Sequence, residues 1–257
     1  EETAYDFIKT KFSDNYSFFS NTLKFAGIGE SSIAEKINDL LNLKNPTVAP
    51  YANIGEVKLR ITARAKNDLE AKNIIKPVKE KLKKEFSKFI FGEDNDTLPS
   101  VLIKELAERN QTIVFAESCT GGLLSSSLTS ISGSSQVFLG SIVSYSNKLK
   151  NSLLNISEEK LTKYGAVSEE VCKAMAINVK EKLGADWAIA VSGIAGPNGG
   201  SQDKPVGLVY ISISGPNNHI TNIKKLFNST RNRKEIQTLS VNVCLNSLRL
   251  ILLSNSK

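Results

Sequence analysis

The run Thr112-Ile113-Val114-Phe115-Ala116-Glu117-Ser118-Cys119-Thr120-Gly121-Gly122-Leu123 decides how the chain is read. Its first four residues are β-branched or aromatic and suit a strand. Small residues and a glycine pair follow, and then Leu123 to Thr129 reads as helix. A strand, a tight turn and a helix N-terminus put unpaired backbone N–H groups and a favourable dipole at one point. Ser118, Cys119 and Thr120 are three hydroxyl or thiol groups in that turn. The same residues also suit an ordinary strand–helix connection capped by Ser and Thr.

Downstream, the pattern repeats. Residues 137–145 read as a strand, 147–153 as a short helix, and Ser157 caps another. Ser168 opens a long helix to Leu183. Trp187-Ala188-Ile189-Ala190-Val191-Ser192 is almost wholly apolar, which suits a strand buried on both faces. Residues 206–213 and 222–227 read as strands, and 233–253 as a closing helix. Upstream, Leu98 to Arg109 is an amphipathic helix with Thr97 as N-cap and Pro99 in its first turn. This alternation predicts an α/β fold, a three-layer α/β/α sandwich over 97–257, with ligands beyond the carboxyl ends of its strands.

A small α+β domain is expected over 21–93, preceded by an irregular lead-in, 1–20, whose aromatics dock elsewhere. Within it, 22–25 and 56–64 read as strands. Ile33, Ile37, Leu40 and Leu41 share a helical face, 45–51 is an extended loop held by its prolines, and a helix runs from Asp68 to Phe89 with Pro77 as a kink. The polar stretch 91–97 marks the boundary.

The net charge of +7 is concentrated locally: Lys72, Lys76, Lys79, Lys81, Lys83, Lys84 and Lys88 read as one solvated helix face. Phe86 is the only aromatic among them, so no stacking platform for single-stranded nucleic acid is interleaved there. Cys119, Cys172 and Cys244 form no CxxC pair, which suits reduced thiols and a cytoplasmic location. No apolar run reads as a membrane span and no signal peptide is visible. The chain opens on Glu1 and its only methionine is Met175, so an upstream part of a longer chain is expected.

Absent residues narrow the chemistry. The one histidine, His219, lies in a remote turn, which argues against Ser-His-Asp or Cys-His catalysis. No His/Cys/Asp/Glu cluster suggests a metal site in the second domain, and no cofactor is expected. A serine nucleophile would then need another base, and a lysine of lowered pKa can serve. Tyr145 and Lys150, at a strand end and a helix start, can converge on one pocket rim. Ser118 is preferred to Cys119 because no histidine is at hand to form a thiolate. The loop Ser192 to Gly200 is glycine-rich and its amides can cradle an anion, although it is neither a Walker loop nor a dinucleotide turn.

Five stretches in order resemble the C-terminal, nicotinamide-nucleotide amidohydrolase (PncC-type) domain of the CinA (competence/damage-inducible) family. They are Ala116 to Gly122, Tyr145-Ser146-Asn147-x-x-Lys150, Gly165-Ala166-Val167-Ser168, Ser192-Gly193-Ile194-Ala195-Gly196-Pro197 and Lys204-Pro205-Val206-Gly207. Gly27-Ile28-Gly29-Glu30-Ser31 and Asn45 to Tyr51 resemble the family's middle, KH-like domain. The resemblance implies a missing upstream molybdopterin-binding-like domain, a homodimer, and hydrolysis of nicotinamide mononucleotide to nicotinic acid mononucleotide and ammonia. It makes Ser118 the nucleophile, with Tyr145 and Lys150 as proton-transfer partners. Thr120, Gly121, Gly122, Asn147, Ser192, Gly193, Gly196, Gly199 and Arg231 become the substrate-binding set, with the amides of the Ser118–Gly122 turn holding the oxyanion. One departure falls on phosphate recognition. The family's Phe-x-Gly-x-Arg-x-x-x-Arg reads here with Ser229 for the glycine and Glu235 for the second arginine, while Arg233 stands nearby as a substitute. The alternative is a non-catalytic binding fragment contacting nucleic acid or a partner protein. KH recognition needs a Gly-x-x-Gly loop, which residues 1–90 lack, so nucleic acid is not an expected partner.

Overall fold

The computed structural model describes residues 16–254. The chain divides into two compact units, Glu1–Asp96 and Thr97–Lys257.

In the first unit the elements are β1 (Ser17–Ala26), α1 (Glu30–Lys36), α2 (Asn38–Leu41), β2 (Thr47–Asn53), β3 (Glu56–Ala65), α3 (Asp68–Phe86) and β4 (Ile90–Glu93). The sheet order is β2-β3-β1-β4, antiparallel throughout. β3 alternates strictly, and its inward Val57, Leu59, Ile61 and Ala63 meet α3 through Ile75, Val78, Leu82 and Phe86. Phe86 closes edge-on against Phe25, with ring centroids 5.7 Å apart. Asn67 caps α3, and Pro77 is carried inside the helix.

Four sequence expectations change here. The lead-in 1–20 is not irregular where it is described, because β1 begins at Ser17 and pairs along its whole length with β3. The remainder of that stretch, 1–15, lies outside the described residues. Asn45 to Tyr51 is not a loop from Thr47 onward. Those residues form an edge strand, where Pro50 can lack an N–H without breaking the sheet. The helical face of Ile33, Ile37, Leu40 and Leu41 breaks at Ile37 (φ −116°) into two short helices. The polar stretch after Phe89 holds a fourth strand, paired with β1.

The second unit contains α4 (Leu98–Glu108), β5 (Ile113–Glu117), α5 (Leu123–Thr129), β6 (Phe138–Val143), α6 (Asn147–Leu154), α7 (Glu158–Tyr164), α8 (Glu169–Leu183), β7 (Trp187–Gly193), β8 (Leu208–Ser214), β9 (Ile220–Leu226) and α9 (Arg233–Ser254). Side-chain caps start four of these helices. Thr97 and Ser100 form a reciprocal box at α4, and Ser146, Ser157 and Ser168 cap α6, α7 and α8.

The sheet order is β6-β5-β7-β8-β9. β5 runs parallel to both β6 and β7, whereas β8 and β9 are antiparallel additions. On one face the small Ala116, Ala188 and Ala190 let α8 lie close, and its Val171, Cys172, Met175 and Val179 fill that layer. On the other, Ile113, Phe115, Ile189 and Val191 are wholly buried on the side where α4, α5 and α9 gather. The result is a three-layer α/β/α sandwich.

Contrary to the sequence expectation, α9 is long and apolar enough, by length and composition, to cross a membrane. It packs as a core helix instead, with Ile236, Val241, Cys244, Leu245, Leu248 and Leu252 buried.

Phe86→Ala removes the ring that closes the first unit's core. The expected loss is about 3–5 kcal/mol, read as a lower urea midpoint. A loss below about 1 kcal/mol would contradict this account of the core.

Candidate active site

β5, β6 and β7 are adjacent and parallel, so their carboxyl ends open on the same side. A pocket of about 250 Å³ lies there. Ser118 and Cys119 enter from the end of β5, Tyr145 and Lys150 from β6 and α6, and Ser192 to Gly199 from β7 and the loop after it. Ala166 and Val167, before α8, and Arg233, at the start of α9, complete the wall.

Lys150 is 1% exposed, in the first turns of α6. Its Nζ is hydrogen-bonded to Ser118 Oγ at 3.0 Å and donates to Ser144 O at 2.7 Å and Tyr145 O at 3.4 Å. Burial pushes this amine below the ordinary lysine value, because the charged form loses its water. A neutral amine has two N–H groups, and the two carbonyls can only accept, so both are used there. The lone pair is then left for the Ser118 hydroxyl. The β6 end that carries those carbonyls is tied to β5 by Ser144 N to Glu117 O at 2.8 Å.

Glu117 precedes Ser118 and is completely buried. Its carboxylate accepts from Thr120 Oγ1 at 2.7 Å, Gly122 N at 3.0 Å, Leu124 N at 3.1 Å and Ser125 N at 2.9 Å, and also from Ser125 Oγ. The N-terminus of α5 is therefore already occupied by an anion from the protein. Ser118 N donates to Val191 O, and Gly121 N to Ser118 O. The amides of Cys119 and Thr120 are left without a protein acceptor among the described residues. Of the turn's amides only these two are left for an outside acceptor, rather than the whole Ser118–Gly122 set that the resemblance implies.

The other expected site residues divide. Ser192, Gly193, Gly196 and Gly199 line the pocket. Ser192 Oγ donates to Ala166 O at 2.7 Å. Gly196 sits at φ +75°, and a Cβ there would lie 2.6 Å from Val206 Cγ1, so a side chain at this position would collide with the loop. Thr120 is buried with its hydroxyl spent on Glu117. Gly121 and Gly122 do not line the pocket, and Gly122 allows the φ of +99° at which α5 begins. Asn147 is exposed at the start of α6, pointing away from the wall because Ser146 takes the cap and Lys150 the inward position. Arg231 is exposed in the turn before α9 and absent from the wall.

Arg233 takes the place expected of Arg231. It donates to Gly196 O at 2.9 Å and to the Tyr145 phenol oxygen at 2.8 Å. The Tyr145 ring, 59% exposed, thus stands at the pocket mouth, and its carbonyl, not its phenol, touches Lys150. Sequence reasoning also missed the inward turn of Glu117. The available signal was strand alternation, which puts Glu117 on the same face as Ile113 and Phe115.

Residues 95–252 match the family described as "CinA C-terminal domain", and residues 20–92 match "Damage-inducible protein CinA KH domain". The chain belongs to the CinA family. It is 92% identical over its whole length to a CinA-like protein of Prochlorococcus marinus (strain AS9601), of which it covers 61%. It is 47% identical over 97% of its length to a CinA-like protein of Gloeothece citriformis (strain PCC 7424), covering 60% of that protein. The chain thus spans about three-fifths of the length of these CinA relatives. Among solved structures, it is similar to the competence/damage inducible protein CihA from Agrobacterium tumefaciens, at 36% identity and a TM-score of 0.58, over 61% of this chain and 93% of that one. It is also similar to the CinA superfamily protein KP700603 from Klebsiella pneumoniae 700603, at 29% identity and a TM-score of 0.58, over 61% and 96% respectively.

Burial raises the Cys119 and Cys172 thiols to about 12, and Cys244 also rises. The native protein should therefore resist iodoacetamide at pH 8 and take up label at all three cysteines once unfolded. Rapid native alkylation of Cys119, read by mass spectrometry, would restore it as the rival nucleophile.

Proposed function

We propose that the C-terminal unit is an amidohydrolase that converts nicotinamide mononucleotide to nicotinic acid mononucleotide and ammonia. The observation that carries this reading is the buried Lys150 amine 3.0 Å from Ser118 Oγ, with carbonyls to take its N–H groups. CinA-family membership supports the same reading. Ser118 Oγ attacks the carboxamide carbon and its proton passes to Lys150 Nζ. The carbonyl oxygen becomes an oxyanion held by the amides of Cys119 and Thr120. On collapse the C–N bond breaks, and Lys150 returns the proton to the departing nitrogen, which leaves as ammonia. Water, deprotonated by Lys150, then cleaves the acyl-Ser118 ester to give the carboxylate and restore the hydroxyl.

Tyr145 serves through its carbonyl, which holds Lys150, and through a phenol fixed by Arg233 at the mouth, within the path of the leaving-group proton. Arg233 and the Gly193–Gly199 loop meet the 5′-phosphate, the guanidinium by charge-assisted hydrogen bonds. No metal is needed for these steps, since every proton and charge has a protein partner.

Ammonia release from nicotinamide mononucleotide is the direct measurement. Ser118→Ala and Lys150→Ala should each lower kcat by about 10⁴-fold or more with the fold intact. The sign of the pH effect follows from Lys150: its lowered pKa means the base form is present above a midpoint under the free-lysine value, so kcat should rise with pH through that midpoint. Lys150→Ala should abolish the rise. Arg233→Ala should raise KM for the mononucleotide by about 10–100-fold, as for loss of a charged hydrogen bond, and leave the riboside almost unaffected. A well-folded protein that releases no ammonia from any pyridine nucleotide would sink the proposal.

A further inference from the structure

We propose that Glu117 is a positioning residue for the oxyanion-binding amides, in addition to being a cap of α5. This rests on the amidohydrolase reading of the site. Among the described residues, every hydrogen-bonding partner of the carboxylate is a donor: the hydroxyls of Thr120, Ser125 and Ser141 and the amides of Gly122, Leu124 and Ser125. An ionised carboxylate is acceptor-only and can satisfy them all. These bonds seize the turn on the far side of Cys119 and Thr120, while Ser118 N is fixed to Val191 O and Gln237 Nε2 donates to Cys119 O at 2.8 Å. Held from before and after, the peptides that carry the Cys119 and Thr120 amides have one orientation. The same carboxylate takes up the amides that open α5. The helix start is thereby closed to a substrate anion, and the donors beside Ser118 remain for the charge that develops during reaction.

Substitution by glutamine tests this, because its NH₂ must face donors on one side of the cluster whichever way it turns. The probe is diisopropyl fluorophosphate, whose reaction does not depend on the identity of the substrate. Ser118 Oγ forms a bond to phosphorus, the P–F bond breaks, fluoride leaves, the serine proton goes to Lys150, and the phosphoryl oxygen takes the charge at the two amides. Ser118→Ala sets the background. Glu117→Gln, with an unchanged circular dichroism spectrum and assayed well below its Tm, should label at least about 10-fold more slowly than wild type, a displaced donor costing less than the roughly 10²–10³-fold of a removed one. On nicotinamide mononucleotide its kcat should fall with KM retained. A structural role alone would lower Tm and leave both rates unchanged.

Where Glu117→Gln does not fold, Thr120→Val decides, since it removes one tie to the carboxylate and keeps every amide; it should label several-fold more slowly. Folded variants that label at the wild-type rate would overturn the proposal, as would a wild-type protein that is not labelled at Ser118. A protein that labels with the expected pattern but releases no ammonia refutes the substrate reading and supports the role of Glu117.

Discussion

An amine removed from water sets the terms for the rest of the site. Lys150 is buried in a first helical turn, where a charged ammonium loses hydration that two carbonyls only partly replace. Burial lowers the Lys150 pKa for that reason, with the Ser118 hydroxyl beside the amine. The arrangement needs β6 next to β5, so that the strand delivering the carbonyls of Ser144 and Tyr145 lies beside the strand delivering Ser118. It also needs Ser146 as the cap of α6, which fixes the helix phase that turns Lys150 inward and Asn147 outward. The parallel core of the sheet and the placement of Lys150 are thus one constraint.

A second buried charge, Glu117, is handled in the opposite way. Lys150 is buried with few partners, and that burial lowers its pKa, whereas the Glu117 carboxylate is surrounded by hydroxyl and amide donors. The two groups flank Ser118, one hydrogen-bonded to its hydroxyl and the other to the turn that follows it. Cys119, on the same turn, is left as an apolar wall with its carbonyl tied to Gln237.

Much of this is legible in the sequence. The order of strands and helices from Thr112 onward followed from periodicity, and Thr97, Ser157 and Ser168 announced helix starts because capping is local chemistry. The convergence of Ser118, Tyr145 and Lys150 was legible from strand ends that share a direction. What escaped depends on partners distant in sequence. β2 and the first half of β1 exist because β3 pairs with both, and nothing in Asn45 to Tyr51 or Ser17 to Ser20 signals that pairing. Arg233 rather than Arg231 reaches the pocket because α9 begins at 233, and the irregular residues before it have no period from which to read a direction. Glu117 looked like one letter of a motif, since its surroundings come from the turn folding back around it and from Ser141 on the neighbouring strand.

The switch from parallel to antiparallel pairing between β7 and β8 has a consequence for how this site could be remodelled. The glycine-rich loop between those strands is a hairpin, not a crossover, and its base is closed by Ile194 N to Leu208 O and Gly207 N to Ile194 O, both 2.8 Å. Its two ends are therefore fixed to neighbouring strands whatever the tip does. Because closure entropy grows only slowly with length, about 0.6 kcal/mol per doubling, residues between Asn198 and Asp203 could be lengthened, shortened or replaced at small cost. Ser118, at the end of β5, and Lys150, in α6, lie outside this hairpin and would keep their spacing through such changes. The fold thus offers an interchangeable segment over a fixed Ser118–Lys150 pair, a natural starting point for changing what the pocket accepts.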